Sequence, residues 1–528
     1  MTNYQFTGGT ICAPATIPGT GAISIIRVSG KESLAIADKV IDTKGVPIAE
    51  TEGYRLRYGT VFEADGSVLD NVIVSVFRAP HSYTGENSVE ISCHASRFIV
   101  NKILELLVNA GARIAAPGEF TRRAFVNGKM DLAQAEAVAD VIASQSAASH
   151  RVAMNQLKGG FSSELKVLRE KLLTMTSLLE LELDFSEEDV ELASRKELGQ
   201  LVDDSLTHIG RLTASFSRGN AIKNGIPVAI VGATNTGKST LLNALLGEER
   251  AIVSDIAGTT RDTIEETLNI DGILFRFIDT AGIRETDETI EKIGIDRTFK
   301  KLGEAAVVLG MTDLSRGEAA VLEDADFILS KVNEMGGVKN VGSVSDGAET
   351  GGASRHGHGD GQERKVVILV NKCDIAGGFY KDDNGTGYGS GNDLGENMTK
   401  MGGNKNVNHD NNIVSLIETK YDNCKVIPIS AKTGKGLSTL TKTLGEIGSE
   451  ITGSTDETLV TNVRHYEALV RAASALERVR AGLHIATLPP DLIAQDLREA
   501  LYHLGEIVGE ISTDETLGNI FRNFCIGK

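Results

Sequence analysis

Pro227-Val228-Ala229-Ile230-Val231-Gly232-Ala233-Thr234-Asn235-Thr236-Gly237-Lys238-Ser239-Thr240 is the stretch around which the chain is organised. Pro227 to Val231 reads as a short apolar strand, Gly232 to Gly237 as a glycine-bounded loop, and Leu241, Leu242, Ala244 and Leu245 as the following helix. Gly232, Gly237, Lys238 and Ser239 satisfy G-x-x-x-x-G-K-[ST]. Glycines let a backbone curl tightly enough to aim its N–H groups inward, and the helix start adds its positive end, so the loop suits a polyphosphate. Asn235, Thr236, Gly237, Lys238, Ser239 and Thr240 are the expected contacts. Lys238 reaches the β/γ-phosphates and the Ser239 hydroxyl sits on Mg²⁺.

Further segments follow in the order that a GTP switch requires. Ser254-Asp255-Ile256-Ala257-Gly258-Thr259-Thr260 can fold over a γ-phosphate, with a threonine hydroxyl completing the Mg²⁺ shell. An apolar strand ends in Asp279-Thr280-Ala281-Gly282, a carboxylate for the Mg²⁺ water shell and an N–H for the γ-phosphate. Asn371-Lys372-Cys373-Asp374 closes another strand; its carboxylate can accept from the guanine N1–H and 2-amino groups, which adenine lacks in that arrangement. Ser430-Ala431-Lys432 follows a last strand and suits the base O6. Together these point to GTP rather than ATP. Ile283 stands where many small GTPases carry a water-orienting glutamine. Hydrolysis then needs another group or is very slow: the nearby acids are Glu285, Asp287, Glu288 and Glu291, and a monovalent cation near Asn235 and the Ser254–Thr259 carbonyls could supply the missing positive charge.

The 528 residues predict about two to four domains. No apolar run long enough to span a bilayer occurs, and the first residues lack a signal layout. Five scattered cysteines fit a reducing cytoplasm rather than a disulfide framework. The net charge of −18 excludes broad phosphate neutralisation, so any RNA contact needs a local basic patch or a partner.

Residues 1 to about 124 read as an α+β domain, with strands at Ala22–Val28, Val61–Phe62, Asn71–Phe77 and Val89–Cys93 and a helix over Phe98–Ala110. From 125 to 221 the pattern is helical, with a broad stripe at Leu165, Leu168, Leu172, Leu173, Leu178, Leu179 and Leu183. Residues 222 to 450 alternate strand and helix, as in a doubly wound α/β domain. Two low-complexity stretches, Gly336–Gly361 and Ala376–Asn412, read as loop insertions outside the chemistry. Residues 451 to 528 are helical again, and the two helical pieces are expected to form one bundle interrupted by the nucleotide domain.

At this point the chain resembles the MnmE (TrmE) family of tRNA uridine-modification GTPases over its whole length except the two insertions. The resemblance is carried by Thr10-Ile11 through Ala22-Ile23, Arg27-Val28-Ser29-Gly30, Ser82-Tyr83-Thr84-Gly85-Glu86, Pro117 through Gln134-Ala135-Glu136-Ala137-Val138-Ala139-Asp140, Asp184-Phe185 with Glu187-Glu188-Asp189, and the terminal Cys525-Ile526-Gly527-Lys528. Thr234 and Ala95-Ser96 depart from the family's usual proline and glycines.

The resemblance implies a tetrahydrofolate-binding N-terminal domain (1–124) that makes a homodimer, a discontinuous helical domain (125–221 and 451–528) and an inserted Ras-like G domain (222–450). It implies a cytoplasmic, K⁺-activated GTP hydrolase. With the FAD-containing partner MnmG (GidA), in a heterotetramer, the family installs an aminomethyl or carboxymethylaminomethyl group at C5 of the wobble uridine of certain tRNAs. The carbon comes from 5-formyl- or 5,10-methylene-tetrahydrofolate. The implied K⁺ ligands are Asn235, Ser254, Ile256 and Thr259, and the implied Mg²⁺ ligands Ser239 and Thr260. Glu291 positions water, Arg27, Glu90, Lys129 and Lys528 contact the folate, and Cys525 takes part in the modification. A GTP-dependent regulatory switch, such as a ribosome-assembly GTPase, is the rival expectation; it shares the nucleotide motifs but has no need of the N-terminal signature.

Overall fold

The structure is a computed structural model. It describes residues 8–184, 195–249, 266–278, 304–334, 364–375, 412–421, 424–453, 457–485, 489–511, 514–522, 524 and 527. The chain divides into two compact units: Met1–Ser144 with Arg151–Phe216 and Thr458–Lys528, and Gln145–His150 with Ser217–Glu457.

The first unit begins with a seven-stranded sheet of β1 (Ile11–Pro14), β2 (Ile23–Ser29), β3 (Ile41–Asp42), β4 (Arg55–Phe62), β5 (Val68–Phe77), β6 (Ser88–His94) and β7 (Arg113–Ile114), ordered β3-β4-β5-β6-β2-β1-β7. All its ladders are antiparallel except β1–β7. Side chains alternate across a strand, so Val72, Val74 and Val76 of β5 point into the core while Ile73 stays exposed. The helices Ser33–Val40 and Arg97–Asn109 cover that inner face through Leu34, Ile36, Ile103 and Leu107. On the other face, register sets Arg27 of β2 opposite Glu90 of β6. Only the last two residues of β4 stand out as a strand in the sequence; Arg55 to Gly59 has no clean alternation and is held by its ladder to β5.

The same unit holds the helices Glu119–Val126, Leu132–Ala143, Gly160–Asp184, Arg195–Ala214, Val463–Leu483, Pro490–Val508 and Asp514–Arg522, with the part of the helix Ala147–Leu157 from Arg151 onward. The Leu132–Ala143 start is fixed by a capping box, in which Asp131 accepts from the Gln134 N–H and Gln134 accepts from the Asp131 N–H. Of the leucine stripe, Leu165, Leu168, Leu172 and Leu179 enter one apolar core, where they pack with Phe161, Val202, Ile209, Leu469, Leu476, Leu497 and Leu504, whereas Leu173 is exposed. Helices that precede and helices that follow the second unit in the chain thus bury a common face.

The second unit is a six-stranded sheet of β8 (Ile226–Gly232), β9 (Glu266–Ile270), β10 (Ile273–Phe277), β11 (Val307–Asp313), β12 (Lys365–Asn371) and β13 (Lys425–Pro428), ordered β13-β12-β11-β8-β10-β9. Only the edge strand β9 runs antiparallel to its neighbour. Its strands are continuous apolar runs because both faces are covered. Val228 and Ile230 belong to one core with Leu241, Leu245, Leu440 and Leu444; Ala229 and Val231 belong to the other with Val321, Ala325 and Ile328. The fold is mixed α/β with a helical part. Gly336–Gly361 lies outside the described residues, as does Ala376–Asn412 except its last residue, which opens the helix Asn412–Lys420. No helix among the described residues is long and apolar enough to cross a membrane.

Candidate nucleotide-binding site

In a parallel doubly wound sheet the carboxyl edge is where loops gather and ligands bind. β8 ends at Gly232, and the helix Lys238–Glu249 begins directly after the loop. Two residues bend it: Asn235 takes φ 61°, unusual for a side chain larger than glycine, and Gly237 takes φ 99°. A Cβ at Gly237 would lie 2.4 Å from Asn371 Nδ2, so the close approach also demands glycine. Thr236 is buried and its hydroxyl donates to the Ala233 carbonyl at 2.9 Å, pinning the loop from inside.

Lys238 Nζ donates to the carbonyls of Gly232 (2.9 Å) and Ala233 (2.8 Å). Burial pushes its pKa below the ordinary lysine value. Two neutral carbonyls are poor counter-charges for a half-buried ammonium. A phosphate oxygen in the loop would supply the missing negative charge, so the residues fit such a group. Ser239 and Thr240 occupy the first turn of that helix.

Asn371, the last residue of β12, ties the loops together. Its Nδ2 donates to the Thr236 carbonyl at 2.7 Å, and its Oδ1 accepts from the Ala431 N–H at 3.0 Å. One buried amide thereby locks the phosphate loop to the Ser430–Ala431 loop. The latter is tight: the Ser430 N–H donates to the Lys435 carbonyl, and the Gly434 N–H to the Ser430 carbonyl, both at 2.9 Å. Lys432 and Asp374 are exposed. Lys372 takes φ 65° and its Nζ donates to Asp313 Oδ2 at 2.6 Å. Burial pushes the Asp313 carboxyl up, but hydrogen bonds from Lys372 and Ser315 outweigh it and hold the pKa below the ordinary value. Nothing in the spacing of Asp313 marks it out in the sequence.

The structure brings Thr236, Lys238, Asn371 and the Ser430–Ala431 loop together, with Asn235 and Gly237 in the same phosphate loop. Ser254, Asp255, Ile256, Ala257, Gly258, Thr259, Thr260, Asp279, Thr280, Ala281, Gly282 and Glu291 lie outside the described residues, and with them most of the expected K⁺ and Mg²⁺ ligands.

A second cluster lies in the first unit. Arg27 donates to Glu90 Oε1 from Nε at 2.9 Å and pairs with the same oxygen through Nη2 at 2.9 Å. The guanidinium lies over the rings of Tyr83 (5.2 Å) and Phe120 (5.6 Å), and Nη1 donates to the Gly527 carbonyl at 3.4 Å. A Cβ on Gly527 would lie 2.0 Å from the Pro14 carbonyl, so the tail is threaded where only glycine fits. Among the described residues Glu90 Oε2 receives no donor, which suits the amino edge of a pterin. Lys129 Nζ donates to the Pro80 carbonyl at 3.2 Å. Cys525 and Lys528 lie outside the described residues.

The segment Pro80–Glu86 is held by the Glu119–Val126 helix and the turn after it. Tyr83 Oη bonds Thr121 Oγ1 at 2.8 Å, and Asn127 donates to the Thr84 carbonyl at 2.7 Å. Arg123, with its side chain 2% exposed, reaches both Glu86 oxygens (3.1 and 3.0 Å), Glu119 Oε1 (3.1 Å) and the Gly9 carbonyl (2.8 Å). Burial pushes Glu119 up, but Arg113, the Ala116 N–H and Arg123 bring it below its ordinary pKa. The sequence marks this stretch as a signature without revealing that Arg123 supports it.

A phosphate loop and a base-side loop at the carboxyl edge of a doubly wound sheet define a P-loop nucleotide-binding protein of the GTPase class. The family model described as MnmE helical domain matches residues 132–525, and that described as GTP-binding protein TrmE N-terminus matches residues 10–129. The chain is 46% identical to the tRNA modification GTPase MnmE of Parabacteroides distasonis, covering 98% of this chain and 100% of that one. The Bacteroides thetaiotaomicron protein of that name is also 46% identical, over 98% and 99%. A solved GTP-binding protein from Sulfolobus solfataricus in complex with GDP aligns over 55% of this chain and 67% of that chain at 16% identity, with a TM-score of 0.26. The chain belongs to the MnmE (TrmE) family of tRNA modification GTPases, and it is a GTP hydrolase.

Proposed function

We propose that the protein is a K⁺-activated GTPase that works as a cytoplasmic homodimer with an FAD-containing MnmG partner. Its substrate is the wobble uridine of certain tRNAs, which receives an aminomethyl-type group at C5 with one carbon from tetrahydrofolate. Residues 1–124 take the folate and dimerise, 222–450 form the Ras-like G domain, and 125–221 with 451–528 form the helical domain. Asn235, Thr236, Gly237, Lys238, Ser239 and Thr240 hold the phosphates; Asn371, Lys372, Asp374, Ser430, Ala431 and Lys432 hold the base. Ser239 with Thr260 would hold Mg²⁺, and Asn235 with Ser254, Ile256 and Thr259 would hold K⁺. A bound cation supplies positive charge beside the transferred phosphoryl group, a role that Ile283 cannot fill. Glu291 orients the attacking water, and Cys525 acts in the modification.

The observation that supports this reading over a GTP-dependent assembly switch is the Arg27–Glu90 pair seated between Tyr83 and Phe120, with the Gly527 carbonyl alongside. A switch needs no such cradle. A guanidinium, a carboxylate oxygen with no donor among the described residues, and nearby Lys129 suit the pterin edge and glutamyl carboxylate of a reduced folate. Titrating the full-length chain with 5-formyl-tetrahydrofolate should give saturable binding that Glu90→Gln weakens; absence of binding removes the modification reading in favour of the switch. GTP turnover should be faster in K⁺ than in Na⁺, and Asn235→Ala should erase the difference. Equal rates in both salts would remove the cation from the account.

A further inference from the structure

β11 and β12 run parallel in register, so that Asp313 stands opposite Asn371 at the ends of adjacent strands. Asp313 is buried, and its two oxygens are divided between two tasks. Oδ1 accepts from the Ser315 N–H (3.0 Å) and hydroxyl (2.6 Å) and starts the turn Leu314–Arg316. Oδ2 accepts from Lys372 Nζ at 2.6 Å. Lys372 lies between two residues with other work: Asn371 before it locks two loops, and Asp374 follows two positions later. Its φ of 65° is one that a lysine adopts at a cost, and such conformations persist where surroundings over-determine them. Here the backbone is held on the far side, where the Cys373 N–H donates to the Ile429 carbonyl (3.2 Å) and the Ile375 N–H to the Lys372 carbonyl (3.1 Å). On the near side the holding group is Asp313, from 59 residues away.

We propose that Asp313 is a positioning residue for guanine recognition: it anchors Lys372, fixes the left-handed turn at that residue, and so aims the Asp374 carboxylate at the base. The inference rests on the reading that Asp374 contacts the base. Asp313 itself touches no nucleotide atom; its effect passes through Lys372. A charged anchor suits the task because a buried carboxylate is costly without a cation, so the pair is defended from both ends. The loop then keeps one orientation before nucleotide arrives, and less ordering remains to be done on binding.

The test compares GTP and ATP affinity in the full-length chain. Asp313→Asn keeps the shape and the oxygen facing Ser315 but gives up the anionic hold on Lys372. The preference for GTP over ATP should fall by about tenfold, the scale of a lost hydrogen bond to a charged group. Lys372→Met should lower the same ratio at least as far, because it also removes a residue that holds the base, and the double variant should fall no further than Lys372→Met alone, because Asp313 acts only through Lys372. Ser315→Ala should leave the ratio unchanged. An unaltered preference in folded Asp313→Asn, additive losses in the double variant, or an equal fall in Ser315→Ala would each overturn the proposal. Asp374→Asn should shift preference from GTP to xanthosine triphosphate. If it does not, the base-contact reading fails by itself and takes the proposal with it; if it does while Asp313→Asn is silent, the proposal alone fails.

Discussion

The nucleotide loops and the Arg27 cluster are built from different materials. At the phosphate loop the ligand-facing surface is backbone, bent by Gly237 and Asn235 and locked by a neutral amide, Asn371; a charged pair, Asp313 with Lys372, enters only on the base side. Around Arg27 the surface is side chain, and the segment that carries Tyr83 is held by a buried charge, Arg123 between Glu86 and Glu119; the same unit holds a second ionic cluster, Glu136 against Arg464 and His465. A backbone cradle fails when something too large is placed in it. A charged scaffold fails when one partner is removed or neutralised. The two regions should therefore be separable by the kind of change that breaks them.

The largest effect should come from the charged scaffold. Arg123→Met leaves Glu86 and Glu119 without their shared cation and the Gly9 carbonyl without its donor. Breaking a buried ion pair by removing one partner costs about 3–5 kcal/mol. Urea unfolding followed by circular dichroism should register a loss of that size, with fluorescent GTP-analogue binding in native buffer changed only a few-fold. A loss below about 1 kcal/mol would mean that Arg123 is not a main support.

Acid should find the same weakness. Burial pushes Glu136 up, but His465 at 2.7 Å and Arg464 at 3.0 Å outweigh it and bring the carboxyl from an ordinary 4.5 down to about 2. A carboxyl that is more acidic when folded stabilises the fold above its unfolded pKa and loses that contribution as pH falls through the folded one. The contribution is about 3 kcal/mol, fully present above pH 4.5 and lost on the way to pH 2. Unfolding free energies of wild type and Glu136→Gln across that window should converge as pH falls. Parallel curves would break the contrast between the regions.

The difference in materials also explains what the sequence revealed. A backbone cradle is written locally, so Gly232 to Ser239, Asn371 to Asp374 and Ser430-Ala431 were legible as short motifs in order. The strands were legible where one face alternates, as in Asn71–Phe77, or where both are covered, as in β8. The first residues of β4 were not, because their partner strand rather than their own pattern holds them. Side-chain scaffolds are written at long range: Glu136 meets Arg464 across 328 positions, and Arg27 meets the Gly527 carbonyl across 500. No spacing rule joins such residues. Arg27 and Glu90 were reachable only through family resemblance, while Arg123 and Asp313 were not reached at all.

The cradle should fail by size. Gly237→Ala adds a methyl that falls 2.4 Å from Asn371 Nδ2 at a φ of 99°, so both the loop and its lock must shift. Strain at such a φ costs about 1–3 kcal/mol, and a loss near the upper end, about 2.7 kcal/mol, is about a hundredfold in binding. GTP affinity should fall by that factor while thermal unfolding stays close to wild type. A variant that binds normally would show that the loop tolerates a wider bend than its contacts imply.

The smallest effect should come from Arg27→Lys, and it probes what the charged cluster needs beyond charge. Lysine keeps the cation but gives up the planar fork that places Nε and Nη2 on one Glu90 oxygen while Nη1 reaches the Gly527 carbonyl. It also gives up the flat face lying over Tyr83 and Phe120. At a partly exposed pair these losses amount to about 1 kcal/mol of stability. Reduced-folate affinity should nonetheless fall by about tenfold, because Glu90 would no longer be held in one orientation for the ligand. A thermal shift of a few degrees beside a clear loss of folate binding would separate orientation from charge. If Lys at position 27 binds folate as well as Arg does, the cluster works by net charge alone, and the two regions differ less in kind than their contacts indicate.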